Sequence, residues 1–243
     1  MRDVDIPGIV HFFTENKLGR DFVVGDIHGE FYSLHKILMK VKFNPDCDRL
    51  FSVGDVVDRG TQSELVVSWL KKTWFHSVRG NHEQMLIDCI DGYGDVERHR
   101  RNGGAWFYKL PATEQLNIVS ALRELPFAIE LVVKGNKVGV IHAQAPLLKS
   151  EDDWQECIAA LSGKRGEDAF QQAKNLALYS RAKFSSQDNT LIKGISALYV
   201  GHTTVLNVLK LGNTNYIDTG CSFSDGVLTV INLSAGVVIT SGC

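Results

Sequence analysis

Little in this chain points to a secreted, membrane-bound or nucleic-acid-binding protein. Its 243 residues hold five cysteines, Cys47, Cys89, Cys157, Cys221 and Cys243, odd in number, scattered and without a Cys-x-x-Cys pair. That excludes a disulfide framework and a thiolate zinc site, and it fits reduced thiols in the cytoplasm. No apolar run is long enough to span a bilayer. The opening Met1-Arg2-Asp3-Val4-Asp5 is charged and lacks the apolar stretch of a signal peptide. The formal net charge is only −2, so no bulk field favours nucleic acid or an anionic membrane. Low-complexity tracts, internal repeats and linkers are missing too. A chain of this length reads as one domain over residues 1–243 with a sizeable core.

What the chain does have is three runs with one grammar: a strand-like apolar segment, a glycine, then residues able to hold a metal. Phe22-Val23-Val24-Gly25 leads into Asp26-Ile27-His28-Gly29. Leu50-Phe51-Ser52-Val53-Gly54 leads into Asp55-Val56-Val57-Asp58-Arg59-Gly60. Phe75-His76-Ser77-Val78-Arg79-Gly80 leads into Asn81-His82-Glu83. Helical patterns follow each, over Phe31–Val41, Glu64–Lys71 and Glu83–Ile90, the first with Phe31, Leu34, Leu38 and Val41 on one side. Parallel strands joined by helical crossovers deliver their C-terminal ends to one sheet edge. Asp26, His28, Asp55, Asp58, Asn81 and His82 are therefore expected to converge.

Asp91-Gly92-Tyr93-Gly94-Asp95 breaks the third helix, and Ala105–Leu110 and Thr113–Leu122 read as helices between Pro111 and Pro126. The second half is richer in strands. Phe127–Val133 and Lys137–Ile141 read as a hairpin turning at Gly135-Asn136. Glu167–Tyr179 reads as a helix. Ala197–Val200, Val205–Leu209, Asn215–Ile217, Val227–Asn232 and Val237–Thr240 read as strands, with turns at Gly212-Asn213 and Ser224-Asp225-Gly226. The fold class expected is α/β (α+β), two packed mixed sheets flanked by helices.

Oxygen and nitrogen donors without thiolate suit Mn, Fe, Zn or Ni. Asp26 and His28 project to one face of an extended segment. Asp55, at the tip of the neighbouring strand, is placed to bridge two ions, and Asn81 offers a neutral carbonyl oxygen. Two such ions ~3.5–4 Å apart would clamp an in-line displacement at phosphorus. His142 and His202 repeat the strand-then-ligand grammar after Val138–Ile141 and Ala197–Gly201. His11, His35, His76 and His99 lack it and read as structural or surface groups. Glu83 reads as an acid favouring the positive end of its helix. His82 is a candidate acid for a poor alkoxide leaving group, and Asp58 a candidate partner that orients it. Arg59 faces away from Asp58 and reads as a phosphate clamp. Arg98, Arg100 and Arg101 form either a solvated basic face or a rim for acidic or phosphorylated peptide.

These three motifs together resemble the signature of the PPP-type metallophosphoesterases, the serine/threonine protein phosphatases. Arg79–Met85, Asn102–Phe107 and Tyr216–Gly220 are similar to their bacteriophage lambda and enterobacterial members. The likeness covers nearly the whole chain, densest before residue 107 and weakest between His142 and His202. It implies the two-sheet architecture and assigns His142 and His202 to the second metal. It gives Arg181 as a second clamp arginine beside Arg59 and Asn81. It implies two divalent ions, Mn²⁺ the preferred activator, and a metal-bridging hydroxide as nucleophile. The implied substrate is phosphoserine or phosphothreonine in protein, with phosphotyrosine and small aryl phosphates as further substrates. No phosphoenzyme is expected, since no Cys or Ser occupies a nucleophile motif. No regulatory-subunit motif is evident.

Two departures stand out. Relatives carry His-Ala-Asp where this chain has His142-Ala143-Gln144, and Ala where it has Cys221. Gln144 is a position where activity or its pH optimum can differ. Cys221 reads as a packing residue, with an oxidation-sensitive thiol as the alternative. The rival enzyme is a dinucleoside tetraphosphate hydrolase of the same superfamily, but those resemble this chain with Ala for Asp58 and Asp for Glu83. A phosphodiesterase and a catalytically dead phosphoprotein-binding module are the remaining readings.

Overall fold

The computed structural model describes residues 10–242; the charged run Met1–Asp5 and Cys243 lie outside them. β1 (Val10–Phe13) and β2 (Asp21–Val24) open the chain. The alternation expected from the sequence follows: α1 (Phe31–Lys40), β3 (Arg49–Ser52), a 3-10 turn (Ser63–Leu65) continuing into α2 (Val66–Leu70), β4 (Phe75–Ser77) and α3 (Asn81–Ile90). α1 buries Phe31, Leu34, Ile37 and Leu38, an apolar stripe at helical spacing. α1 and α2 carry the chain back along the sheet between successive strands, so β2, β3 and β4 pair in parallel, Val23 opposite Phe51 and Phe51 opposite His76.

α4 (Val96–Arg101), a 3-10 helix (Gly104–Lys109) and α5 (Ala112–Arg123) then lead to the hairpin of β5 (Ala128–Val133) and β6 (Asn136–Ile141). α6 (Trp154–Leu161), α7 (Glu167–Tyr179) and α8 (Ala182–Ser185) precede β7 (Ala197–Val200), β8 (Leu209–Leu211), β9 (Thr214–Tyr216), β10 (Thr229–Asn232) and β11 (Val237–Thr240). The strands form two mixed sheets, β11-β10-β2-β3-β4 and β1-β5-β6-β7-β9-β8. Their inner faces interlock through Val23, Phe51 and Val78 from one side and Ile129, Leu131 and Val140 from the other. The outer face of the first sheet packs on α1, α2, α3 and α5; that of the second packs on α6 and α7 through Trp154, Phe170 and Ala173. This is the helix-flanked sandwich expected from the sequence.

Local readings needed correction in three places. The hairpin turns at Lys134-Gly135, one residue earlier than expected, because Val133 pairs with Asn136. Both turn residues have positive φ, 49° and 75°, as a two-residue turn matching strand twist requires. The strand expected over 205–209 is a loop. Leu206 is 96% exposed, and pairing with β9 begins only at Leu209. The Ala105–Leu110 helix is 3-10, starting at Gly104.

Candidate metal centre

Both sheets send ligand-type residues to one edge. Asp26, Asp55 and Asn81 follow the C-terminal ends of β2, β3 and β4; His142, His202 and Asp218 follow those of β6, β7 and β9, which run parallel. The turns are tight. Among the described residues, eight non-glycine positions have positive φ, and His28, Asp55, Asp58, Arg59 and His202 are five of them. Such strain concentrates where surrounding structure holds a functional geometry. Glycine supplies the remaining room. A Cβ on Gly80 would lie 2.2 Å from Asp55 Oδ1, and one on Gly201 would lie 1.8 Å from Asp26 Oδ1.

The imidazoles are oriented by backbone carbonyls. His28 Nδ1 lies 3.0 Å from the Val57 carbonyl, His142 Nδ1 2.8 Å from that of Val53 and His202 Nε2 3.2 Å from that of Tyr179. A carbonyl only accepts, so each of these nitrogens carries the hydrogen and the other presents a lone pair. Burial lowers all three, His28 and His202 to about 3, which keeps the rings neutral at pH 7. His142 Nε2 and His202 Nδ1 then point at Asn81 Oδ1, at 2.9 and 2.7 Å. Three acceptor atoms converging on one spot is the donor set of a bound cation. Asp55 ties this group to the other side. Its Oδ1 lies 3.5 Å from His142 Nε2 and its Oδ2 3.7 Å from His28 Nε2. Side-chain ligand atoms of His28, Asp55 and His82, and separately of Asp55, His142 and His202, all fall within 4.8 Å of one another. Asp55 is common to both groups, as a bridging ligand must be.

Charge tells the same story. Burial, followed by Asp218 and Asp55, pushes the Asp26 carboxyl well up, a repulsion that a cation between these groups would relieve. Asp55 is held low despite burial, through His142, His82 and His28. The residues present therefore fit a pair of divalent ions.

The other expected site residues gather on the same cavity, of about 480 Å³, into which Arg59, His82 and Arg181 also face. Arg59 lies 2.9 Å from His28 Nε2 and 3.2 Å from His82 Nε2. Its guanidinium sits 5.4 Å over the Phe223 ring. Arg181 is tethered through its NH2 group to the His202 carbonyl at 3.0 Å. Behind the cavity wall, fully buried Asp58 accepts from His82 Nδ1 at 2.8 Å. Against the cost of burial, hydrogen bonds from His82 and His99 hold Asp58 below the usual carboxylate range. His82 is raised: burial works against its charge, but Asp55 and Asp58 outweigh it.

Sequence reasoning missed several neighbours. Asp218 lines the cavity, its Oδ2 accepting from Thr204 at 2.8 Å; it lay in a run noted for resemblance but was given no role. His99 is buried, donating from Nε2 to Asp58 Oδ2 at 3.0 Å. Its flanking arginines divide: Arg98 reaches the cavity and Arg100 stacks 4.5 Å over Tyr108. Gln144 does not face the metal residues. Its Oε1 accepts from Ser180 Oγ and the Lys183 amide, each at 3.0 Å, fixing the segment that carries Arg181. The Cys221 thiol donates to the Asp26 carbonyl at 3.0 Å, and burial raises it well above a free thiol; little thiolate forms, in line with a packing role.

Comparison with known proteins agrees with this geometry. The family model for calcineurin-like phosphoesterases matches residues 22–210. Serine/threonine-protein phosphatase 2 of Escherichia coli (strain K12) is 35% identical over 202 residues, 82% of this chain and 86% of that protein. A symmetrical bis(5'-nucleosyl)-tetraphosphatase of Shewanella loihica is 38% identical, but over 57% of this chain and 52% of its own. In three dimensions, a solved structure proposed to be a diadenosine tetraphosphatase superposes with a TM-score of 0.65, covering 96% of this chain and 97% of its own at 21% identity, a likeness of fold. With that family model spanning residues 22–210 and a relative 35% identical over most of both chains, the chain belongs to the calcineurin-like phosphoesterases.

Proposed function

We propose that this protein is a metal-dependent serine/threonine phosphoprotein phosphatase, one catalytic domain working on phosphomonoesters in the cytoplasm, with phosphotyrosine and aryl phosphates as further substrates. The observation that carries this reading is the buried Asp58–His82 pair at 2.8 Å. A serine or threonine alkoxide leaves only if it is protonated as the P–O bond breaks. Splitting a polyphosphate chain releases a nucleotide phosphate, a good leaving group with little need for an acid. A carboxylate-backed imidazole beside the cavity is what the first reaction requires.

Asp26, His28 and Asp55 would hold one ion, and Asp55, Asn81, His142 and His202 the other, with Mn²⁺ preferred and Fe, Zn or Ni able to serve. Such ions polarise phosphoryl oxygens and supply an activated water. The chain's own groups do the rest. Arg59 and Arg181 pair with phosphoryl oxygens, and the Asn81 amide helps orient them. His82, aimed by Asp58, delivers a proton from Nε2 to the departing oxygen.

The test is phosphate release from a phosphoserine peptide, set beside cleavage of a dinucleoside tetraphosphate, both with added Mn²⁺. Turnover of the peptide well above that of the dinucleotide is expected. The reverse order would make the chain a dinucleotide hydrolase.

A further inference from the structure

Asp58 is held by more than the imidazole it orients. Its Oδ2 accepts from His82 Nδ1 at 2.8 Å and from His99 Nε2 at 3.0 Å, while its Oδ1 accepts from Trp106 Nε1 at 2.8 Å. Both Asp58 and His99 are wholly buried. His99 belongs to α4 and Trp106 to the 3-10 helix after it. The carboxylate is thus gripped by a segment without any of the candidate metal ligands.

His99 is itself fixed on two sides. A Cβ on Gly104 would lie 2.2 Å from His99 Nε2, so the ring lies flush on that glycine. Its Nδ1 meets the Tyr108 hydroxyl at 2.9 Å. The Asp58 carboxylate only accepts, so His99 carries its hydrogen on Nε2 and leaves Nδ1 to accept from that hydroxyl.

We propose, on the reading of His82 as the acid, that His99 is a positioning residue: its Nε2–H, set by Tyr108, locks the Asp58 carboxylate and thereby aims His82 at the leaving oxygen. No proton passes through His99. With His82 as its only imidazole partner, the Asp58 carboxylate would tilt about its last torsion and carry the His82 ring with it. Misaiming a catalytic group by 1 Å costs on the order of 10²-fold in rate. A role in core packing alone would be blind to the leaving group, and this separates the two.

The test measures kcat and KM on a phosphoserine peptide and on p-nitrophenyl phosphate, whose leaving group needs little protonation. His99→Phe keeps a ring on Gly104 and removes both nitrogens; His99→Gln keeps an N–H donor within reach of Asp58. His99→Phe is expected to lower kcat on the peptide ~10–100-fold, to lower it clearly less on p-nitrophenyl phosphate, and to leave both KM values in place. His99→Gln is expected to recover most of the peptide kcat. Tyr108→Phe, which keeps the ring packing, is expected to show the same split more weakly, and it stands in if His99→Phe does not fold. His82→Asn is the reference and should split the two substrates most. If it does while folded His99→Phe or Tyr108→Phe lowers both substrates equally, or neither, the role given to His99 is overturned and that of His82 survives. Equal losses in His82→Asn would overturn both.

Discussion

Gln144 shows how one side chain acts at the site without touching it. The resemblance noted in the sequence leads one to expect a carboxylate here, which would be read as tuning the ions. The amide instead turns away and accepts from Ser180 Oγ and the Lys183 amide, either side of Arg181. An arginine on a long stem has much rotamer freedom to lose when it grips a phosphate, and a fixed backbone reduces that loss. Gln144→Ala is expected to raise KM for a phosphopeptide by ~5-fold, the worth of about 1 kcal/mol of hydrogen bonding, with kcat changed little; steady-state kinetics at saturating Mn²⁺ reads this directly. The convergence of the candidate ligands on one sheet edge was legible from the sequence, because Asp26, Asp55, Asn81 and His202 each follow a strand and a glycine. His99 was not: its partner Asp58 lies 41 positions away, and a histidine among three arginines in Glu97–Arg101 carries no periodic signal. Gln144 was visible as a departure, but only the fold shows that it faces Ser180.

At the scale of elements, Glu83 joins two of the three motifs. It sits in the first turn of α3 and was read as complementing the helix end. In the structure it does more. Oε1 accepts from the Val56 and Val57 amides at 2.9 and 3.2 Å, and Oε2 from the Asp55 and Gly80 amides at 2.9 and 2.7 Å. The loop after β3 and the turn between β4 and α3 would otherwise bury those N–H groups unpaired. Burial and then Asp55 push this carboxyl up to about 8, but each oxygen faces two N–H donors, and a proton on either would point at a donor. The ionised form is the one this nest of amides holds. Glu83→Gln sets an NH₂ against N–H groups and is expected to destabilise the fold by ~2–4 kcal/mol, measured as a lower urea midpoint with an unchanged m-value. Long amphipathic elements such as α1 and α7 were readable from apolar spacing. α4 was not, since its six residues bury only His99. The 205–209 run imitated a strand through composition alone.

At the scale of the whole molecule, the two sheets divide the proposed metal centre between them. The five-stranded sheet brings Asp26, His28, Asp55 and Asn81, and the six-stranded sheet brings His142, His202 and Asp218. The shared layer around Phe51, Ile129 and Val140 sets the two edges side by side. Asp55 and Asn81 reach across to His142 and His202, so a cation bound there links the sheets as well as the ligands. The measurement that tests the central claim most directly is phosphate release from a phosphothreonine peptide by metal-stripped protein titrated with Mn²⁺, for the native chain and for Asp55→Asn. The expected result is no release without metal, activity saturating at two ions per chain, and loss of that activity in Asp55→Asn. Full turnover by the stripped protein, or none with two ions bound, would contradict a binuclear phosphatase built around Asp55.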